Sequence, residues 1–182
     1  MAWEVAFLLF LQNHVRNDFL TPIMQFFSLT TNYGVFWILL CIVLLIFKKT
    51  RPIGIIAAIS LVISFGLCNG VVKLLADRTR PFVAIEGLEL ITKRPPDSSF
   101  PSGHTSASFA VACAVTWCLS KKGKWIGLIL IFTATLIAFS RLYLGAHYPT
   151  DVIAGILFGI GSSIVTYILL KDKVLHKDIN NV

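Results

Sequence analysis

Residues 53–81 read IGIIAAISLVISFGLCNGVVKLLADRTRP, an apolar run that closes on Lys73, Asp77, Arg78 and Arg80-Pro81. Its length meets the ~20 residues that a helix needs to cross a bilayer. A surface helix of a soluble protein would show a polar face within that length, and this one shows none before residue 73. The stretch therefore reads as a transmembrane helix with several positive charges gathered at one end. Such groups are costly to keep beside lipid unless something compensates them. Two further polar islands have the same character: Pro101-Ser102-Gly103-His104, and Ser140-Arg141 followed by His147 and Asp151. Spaced to converge, the three islands call for an anionic ligand, and a phosphate suits them best.

Outward from that segment, the stretches 33–47, 104–120, 125–139 and 152–170 are also apolar, and flanking residues would complete the shorter ones. Residues 2–11 and 19–30 are too short to span alone and are separated by Asn13, His14, Arg16, Asn17 and Asp18; they read as interfacial helices or as a broken first span. The expected fold class is all-α, a polytopic transmembrane helical bundle of five or six spans forming one domain over residues 1–182. With 56% hydrophobic and 14% charged residues, the 182-residue chain lacks the polar surface of a soluble domain. Residues 1–11 have neither the basic start nor the cleavage pattern of a signal peptide. Cys41, Cys68, Cys113 and Cys118 lie in apolar segments without a CxxC pair and read as small packing residues, neither disulfides nor metal ligands.

The net charge of +7 is spent in short clusters, which argues against nucleic acid and for membrane topology. Lys48, Lys49 and Arg51, then Lys121, Lys122 and Lys124, then Lys171, Lys173 and Lys177 fall at alternate ends of consecutive spans. The positive-inside rule puts those ends in the cytoplasm and the three islands on the extracytoplasmic face. Between the first two islands runs the one sizeable connection, 82–100, with Pro95, Pro96 and Asp97. A connection of that length is more often functional than idle.

Each island has a chemical reading. Ser102-Gly103 at a helix start offers backbone N–H groups to an anion, with glycine allowing close approach. Alone, Ser102 would be an ordinary cap; His104 beside it favours a site. Lys73, Arg80 and Arg141 supply a point charge and two planar forks suited to a dianion or diphosphate. Arg78, Lys93 and Arg94 are placed more loosely and read as headgroup or steering residues. His147 and Asp151 stand i, i+4, with Pro149 in the first turn of the last helix. Asp151 can fix one ring nitrogen of His147 and leave the other as a nucleophile.

These residues resemble the three-part signature of the type 2 phosphatidic acid phosphatase (PAP2) family, the lipid phosphate phosphatases related to vanadium-dependent haloperoxidases. Lys73 with Arg80-Pro81 stands for the first part, 101–104 for the second, and Ser140-Arg141 with His147 and Asp151 for the third. The signature covers 73–151. The resemblance implies that His147 attacks phosphorus to give a phosphohistidine oriented by Asp151, that His104 is the general acid, and that Lys73, Arg80, Ser102, Gly103 and Arg141 cradle the phosphate. It implies a metal-independent hydrolase without cofactor, and no carboxylate cluster in the sequence suits Mg²⁺ or Zn²⁺. The expected partners are a lipid phosphate substrate and membrane lipids in a bacterial cell membrane. Similarity to small bacterial members makes undecaprenyl diphosphate the first candidate substrate, with phosphatidylglycerol phosphate and phosphatidic acid behind it. A non-catalytic lipid-phosphate binder or transporter is the alternative of another class. The spans exclude a soluble haloperoxidase.

Overall fold

The computed structural model describes residues 2–175. Lys177 of the third basic cluster lies outside them. The chain opens with α1 (Ala2–Phe10), which runs into a wide turn at Leu11–Val15, followed by α2 (Leu20–Thr30) and α3 (Val35–Ile46). Next come α4 (Arg51–Phe65), a widened segment Gly66–Val72, α5 (Lys73–Ala76) and α6 (Pro81–Ala84). The bundle is completed by α7 (Gly103–Cys118), α8 (Lys124–Tyr143) and α9 (Pro149–Val174). Proline opens α4, α6 and α9 at a first-turn position, where its missing N–H costs nothing.

Three helical runs, Arg51–Ala84, Lys121–Tyr143 and Pro149–Val174, are long and apolar enough to cross a membrane. Segment 33–47, expected as a span of its own, yields only the 12-residue α3, about 18 Å at 1.5 Å per residue. It reaches spanning length only with α2, to which it is joined at a 50° bend. The bend falls at Tyr33 and Gly34, both at positive φ (55° and 72°). Residues 20–30 thus pair with α3 and not with residues 2–11, as a bent unit whose length and composition fit either a broken span or a re-entrant loop.

Helix α7 is the centre of the bundle. At 16 residues it is short for a span, but every residue from Thr105 to Val115 is buried, enclosed by α4, α8 and α9. Its serines, alanines and Thr105 are what allow three neighbours to approach so closely, as in other membrane helix interfaces. Gly155 lies against the Ser102 carbonyl and Gly159 against the Ser106 carbonyl, so α7 and α9 run parallel with their N-termini side by side. The outer faces are apolar: Ile42, Leu128, Phe132, Leu157 and Leu169 are all exposed, a surface fit for lipid. All four cysteines are free thiols. Helices α4, α8 and α9 each carry a basic cluster at one end and lead to a polar island at the other.

A Cβ on Gly159 would stand 2.5 Å from the Ser106 carbonyl oxygen and 2.8 Å from Phe109 Cβ. Gly159→Val is expected to lower stability by about 1–3 kcal/mol through overpacking. Gly161→Ala, with open space at its Cβ, should be neutral or slightly stabilising. Unfolding of both variants in detergent micelles measures the difference.

Candidate active site

The three islands meet at one end of the bundle because four chain reversals are fixed locally. Asp77, at φ 37°, stops α5, a left-handed position that a short Asx side chain tolerates. Pro81 then forces Arg80 into extended backbone, which swings its side chain inward. Gly145, at φ 74°, turns the end of α8 toward His147, and a side chain there would strike the Glu89 carbonyl. Ser102, extended, starts α7, and its own N–H donates to the Asp151 carbonyl at 3.0 Å. That amide is thus spent on tying α7 to α9. The anion-facing donors expected at this helix start reduce to the first-turn amides of Gly103 and His104.

His147 is buried between Arg80 and Asp151. The Arg80 guanidinium stands 3.3 Å from His147 Nε2 and also donates to the Ala146 carbonyl at 2.9 Å. A guanidinium can only donate, so Nε2 is the unprotonated nitrogen and Nδ1 carries the hydrogen. Nδ1 faces Asp151 Oδ2 at 3.5 Å, within ion-pair reach but not aligned as a hydrogen bond, and has no other partner. Burial pushes the imidazole down to about 4 from 6.5, with the charges of Arg80 and Arg141 adding and Asp151 opposing. The ring is therefore neutral at pH 7.

The cations are arranged around this ring. Arg141, in the last turn of α8, donates through Nη1 to the Ser28 hydroxyl, while its buried Nε has no partner. Lys73 Nζ lies 2.5 Å from Asp97 Oδ2, and Arg80 Nη2 lies 2.6 Å from Asp97 Oδ1. One carboxylate from the 85–102 connection thus bridges the lysine of α5 and the arginine that caps α6. Burial alone would raise the Asp97 carboxyl, but the contacts with Lys73 and Arg80 hold it below the usual range. Its side chain remains 45% exposed, at the edge of a cleft of about 520 Å³ walled by residues 77–80, Phe82, Val83 and 94–98. His104, on the first turn of α7, meets Asn32 at 3.2 Å through Nε2. The missing Cβ of Gly103 makes room for Asn69, whose Oδ1 would be 2.9 Å from it.

Fold and site together decide the family: a polar cluster of this make-up set at one end of a membrane bundle, and a match of residues 53–175 to the PAP2 superfamily. The chain belongs to that superfamily. An undecaprenyl-diphosphatase of Sulfolobus acidocaldarius is 43% identical over 123 residues, which cover 68% of this chain and 58% of the relative. The chain thus spans little more than half of that relative's length. Among solved structures, Aquifex aeolicus LpxE superposes with a TM-score of 0.71 at 28% identity, covering 86% of this chain and 90% of that one. A Bacillus subtilis structure described as a transmembrane PAP2 type phosphatidylglycerolphosphate phosphatase shares the fold, with a TM-score of 0.76 at 23% identity, covering 94% of this chain and 86% of that one.

All eight residues expected at the site lie at this PAP2 end of the bundle. One expectation needs correction, and six residues add to the cluster. Arg78 does not steer ligands from the surface: it turns inward to Asp151 Oδ1 at 2.6 Å and Glu4 Oε2 at 2.9 Å. Arg94 stays exposed, over the Phe82 ring at the cleft, and Lys93 is also exposed. Asp97, Ser99, Glu4, Ser28, Asn32 and Asn69 reach the cluster although no motif marked them. Four of the six come from outside the 73–151 stretch, and of those Glu4, Ser28 and Asn32 precede the PAP2 match altogether.

An imidazole held neutral in the fold binds its proton more weakly than in the unfolded chain. Its contribution to stability is therefore intact above pH 6.5 and is lost as pH falls toward 4. Between pH 7 and 5 the loss is about 2 kcal/mol, and His147→Gln is expected to escape it. Unfolding of wild type and variant at both pH values tests this, a parallel pH response in the two proteins being the contrary outcome.

Proposed function

We propose that the chain is a metal-independent membrane phosphatase that removes the terminal phosphate of a lipid phosphate or diphosphate through a phosphohistidine on His147. The observation that carries this reading is the buried His147 ring, held with Nε2 against Arg80 and Nδ1 facing Asp151. A binder would need the cations but has no use for a nucleophile with an orienting carboxylate.

In this mechanism the substrate phosphate takes the place of the Asp97 carboxylate between Lys73 and Arg80. Arg141 Nε and the amides of Gly103 and His104 complete the cradle around the equatorial oxygens. The Nε2 lone pair forms the P–N bond as the bond from phosphorus to the leaving oxygen breaks, and His104 donates a proton to that oxygen. Water then attacks the phosphohistidine, His104 takes back a proton, and inorganic phosphate leaves. Undecaprenyl diphosphate is the first substrate, by analogy with the Sulfolobus acidocaldarius relative. Phosphatidylglycerol phosphate and phosphatidic acid are the next. The basic ends of α4, α8 and α9 support an orientation with the site on the extracytoplasmic face of a cell membrane.

Phosphate release from purified protein over these lipids is the direct test. His147→Ala is expected to lose at least about a thousandfold in kcat while remaining folded, and near-wild-type turnover would rule out the covalent route. Since side chains supply the positive charge, activity should survive exhaustive chelation with EDTA. Loss that Mg²⁺ restores would overturn the metal-free mechanism.

Vanadate, which adopts the five-coordinate geometry, should inhibit. Asp97→Asn removes the competing carboxylate, so its vanadate inhibition constant should fall several-fold below that of wild type. A rise would mean that Asp97 stays in place and holds the cradle together.

A further inference from the structure

Asp151 is held mainly by groups other than the histidine it faces. Its Oδ1 accepts from Arg78 Nη1 at 2.6 Å, while Oδ2 accepts from the Ser99 hydroxyl at 2.5 Å and the Tyr148 amide at 2.9 Å. The other arm of Arg78 reaches Glu4 Oε2 at 2.9 Å, and its guanidinium lies over the Tyr148 ring, 4.0 Å from the centroid. Glu4 Oε1 in turn accepts from the hydroxyl and the backbone N–H of Thr150, at 2.6 and 3.2 Å. Arg78 Nη1 also donates to the Thr150 hydroxyl at 2.7 Å. The circuit Asp151–Arg78–Glu4–Thr150 therefore closes on itself around the first turn of α9.

The burial makes this arrangement costly to maintain for packing alone. Glu4 and Asp151 are both 0% exposed, and the one guanidinium between them is 25% exposed. Two carboxylates shut away from water share the single positive charge of Arg78, with the donors of Thr150, Ser99 and the Tyr148 amide completing their hydrogen bonds, and each loses part of that compensation if the fork moves. The geometry also selects a rotamer. With Oδ1 pinned by Arg78, Asp151 can only present Oδ2 toward His147 Nδ1. Glu4 stands on the buried face of α1, one turn from Leu8, which packs against Ile85, Leu88 and Tyr148. This anchors the far end of the circuit in a helix outside the PAP2 match.

We propose that Arg78 and Glu4 are positioning residues for His147 and Asp151, so that helix α1 is a working part of the site. Neither is among the groups proposed to cradle the phosphate; Arg78 acts by orienting Asp151, and Glu4 by orienting Arg78. The inference rests on the phosphatase reading above and goes beyond it by assigning a role to the N-terminal helix.

The test uses the full chain in micelles, with phosphate release from undecaprenyl diphosphate and with wild type, Glu4→Gln, Arg78→Gln, Arg78→Lys, the Glu4→Gln/Arg78→Gln double variant and His147→Ala compared. Positioning partners of a catalytic group are worth about 10–100-fold when removed. Arg78→Gln is expected to lower kcat at the upper end of that range with KM changed less than about threefold. Arg78→Lys should not restore it, since a lysine cannot bridge both carboxylates in the same plane. The double variant should be no slower than Arg78→Gln, the mark of two residues acting in one chain.

The acid limb of kcat/KM supplies the readout that a merely structural role would not move. The charged or titratable groups around His147 are Arg80 at the start of α6, His104 on α7, Arg141 on α8 and Asp151 on α9. Without Arg78 the Asp151 charge is less neutralised and favours the imidazolium, so the limb should move to higher pH. Without the Glu4 charge Arg78 pulls harder on Asp151, so the limb should move to lower pH.

A rise in KM with kcat intact would make Arg78 a substrate-binding cation and overturn the positioning role. So would additive losses, or losses without any pH shift. If His147→Ala is inactive while both single variants turn over like wild type, the positioning inference alone fails. If His147→Ala is itself active, the phosphatase mechanism fails first.

Discussion

The structure is organised around a cost: four cationic side chains, Lys73, Arg78, Arg80 and Arg141, are collected at one end of an apolar bundle and shielded from bulk water. Unpaired, each would be expensive there, and side by side they repel. Three carboxylates answer them, Asp97 across Lys73 and Arg80, and Asp151 and Glu4 across Arg78. The positions of those acids govern much else. Asp97 brings the 85–102 connection down over the cations, Asp151 fixes the start of α9, and Glu4 draws α1 against the body of the protein. Removing one partner would leave the other charge buried and alone, which is why such a network rearranges as a unit.

The apolar part of the fold serves the same end. Helix α7 is buried along most of its length, and Gly155 and Gly159 bring α9 within backbone contact of it. Two helix N-termini are thereby placed side by side, one leading into His104 and the other following His147. A parallel pair with larger interfacial residues would separate those starts by several ångströms. The short side chains of α7 therefore set the distance between the proposed acid and the proposed nucleophile.

Much of the candidate site, as a cluster of residues, was legible in the sequence because its signals are local. Lys73 and Arg80-Pro81, 101–104, and His147 with Asp151 each sit within a few residues of a helix end, and the basic clusters mark the opposite ends. The apolar segments that become α4, α8 and α9 were readable for the same reason. What escaped was long-range. Glu4 meets Arg78 across 74 positions, and Arg141 meets Ser28 across 113, contacts that no periodicity announces. Asp97 looked like an ordinary polar residue of a proline-containing loop, since nothing in 82–100 says where the loop will fold. Arg78 was misplaced because a lone arginine near a span end has snorkelling as its default. Segment 33–47 was overrated as a span because hydropathy registers composition and not the bend at Tyr33 and Gly34.

The charge count of the cluster bears on which ligand it suits. With His147 neutral, four cations against three carboxylates leave a single positive charge, too little to hold a phosphate dianion and strong enough to keep the Asp97 loop closed. Once Asp97 withdraws, two positive charges remain unanswered, matching the dianion of a phosphate monoester or the terminal group of a diphosphate. On the proposed mechanism Lys73 and Arg80 would exchange one anion for another and would not be left bare. Arg141 Nε, buried without a hydrogen-bond partner, would gain one in the same proposed step. The exchange would favour a ligand that carries more charge than a carboxylate, so a singly charged phosphodiester headgroup should displace Asp97 poorly. On the proposed mechanism, discrimination between terminal phosphates and the diesters that make up most of the surrounding bilayer thus begins at the loop, before any bond to phosphorus is formed.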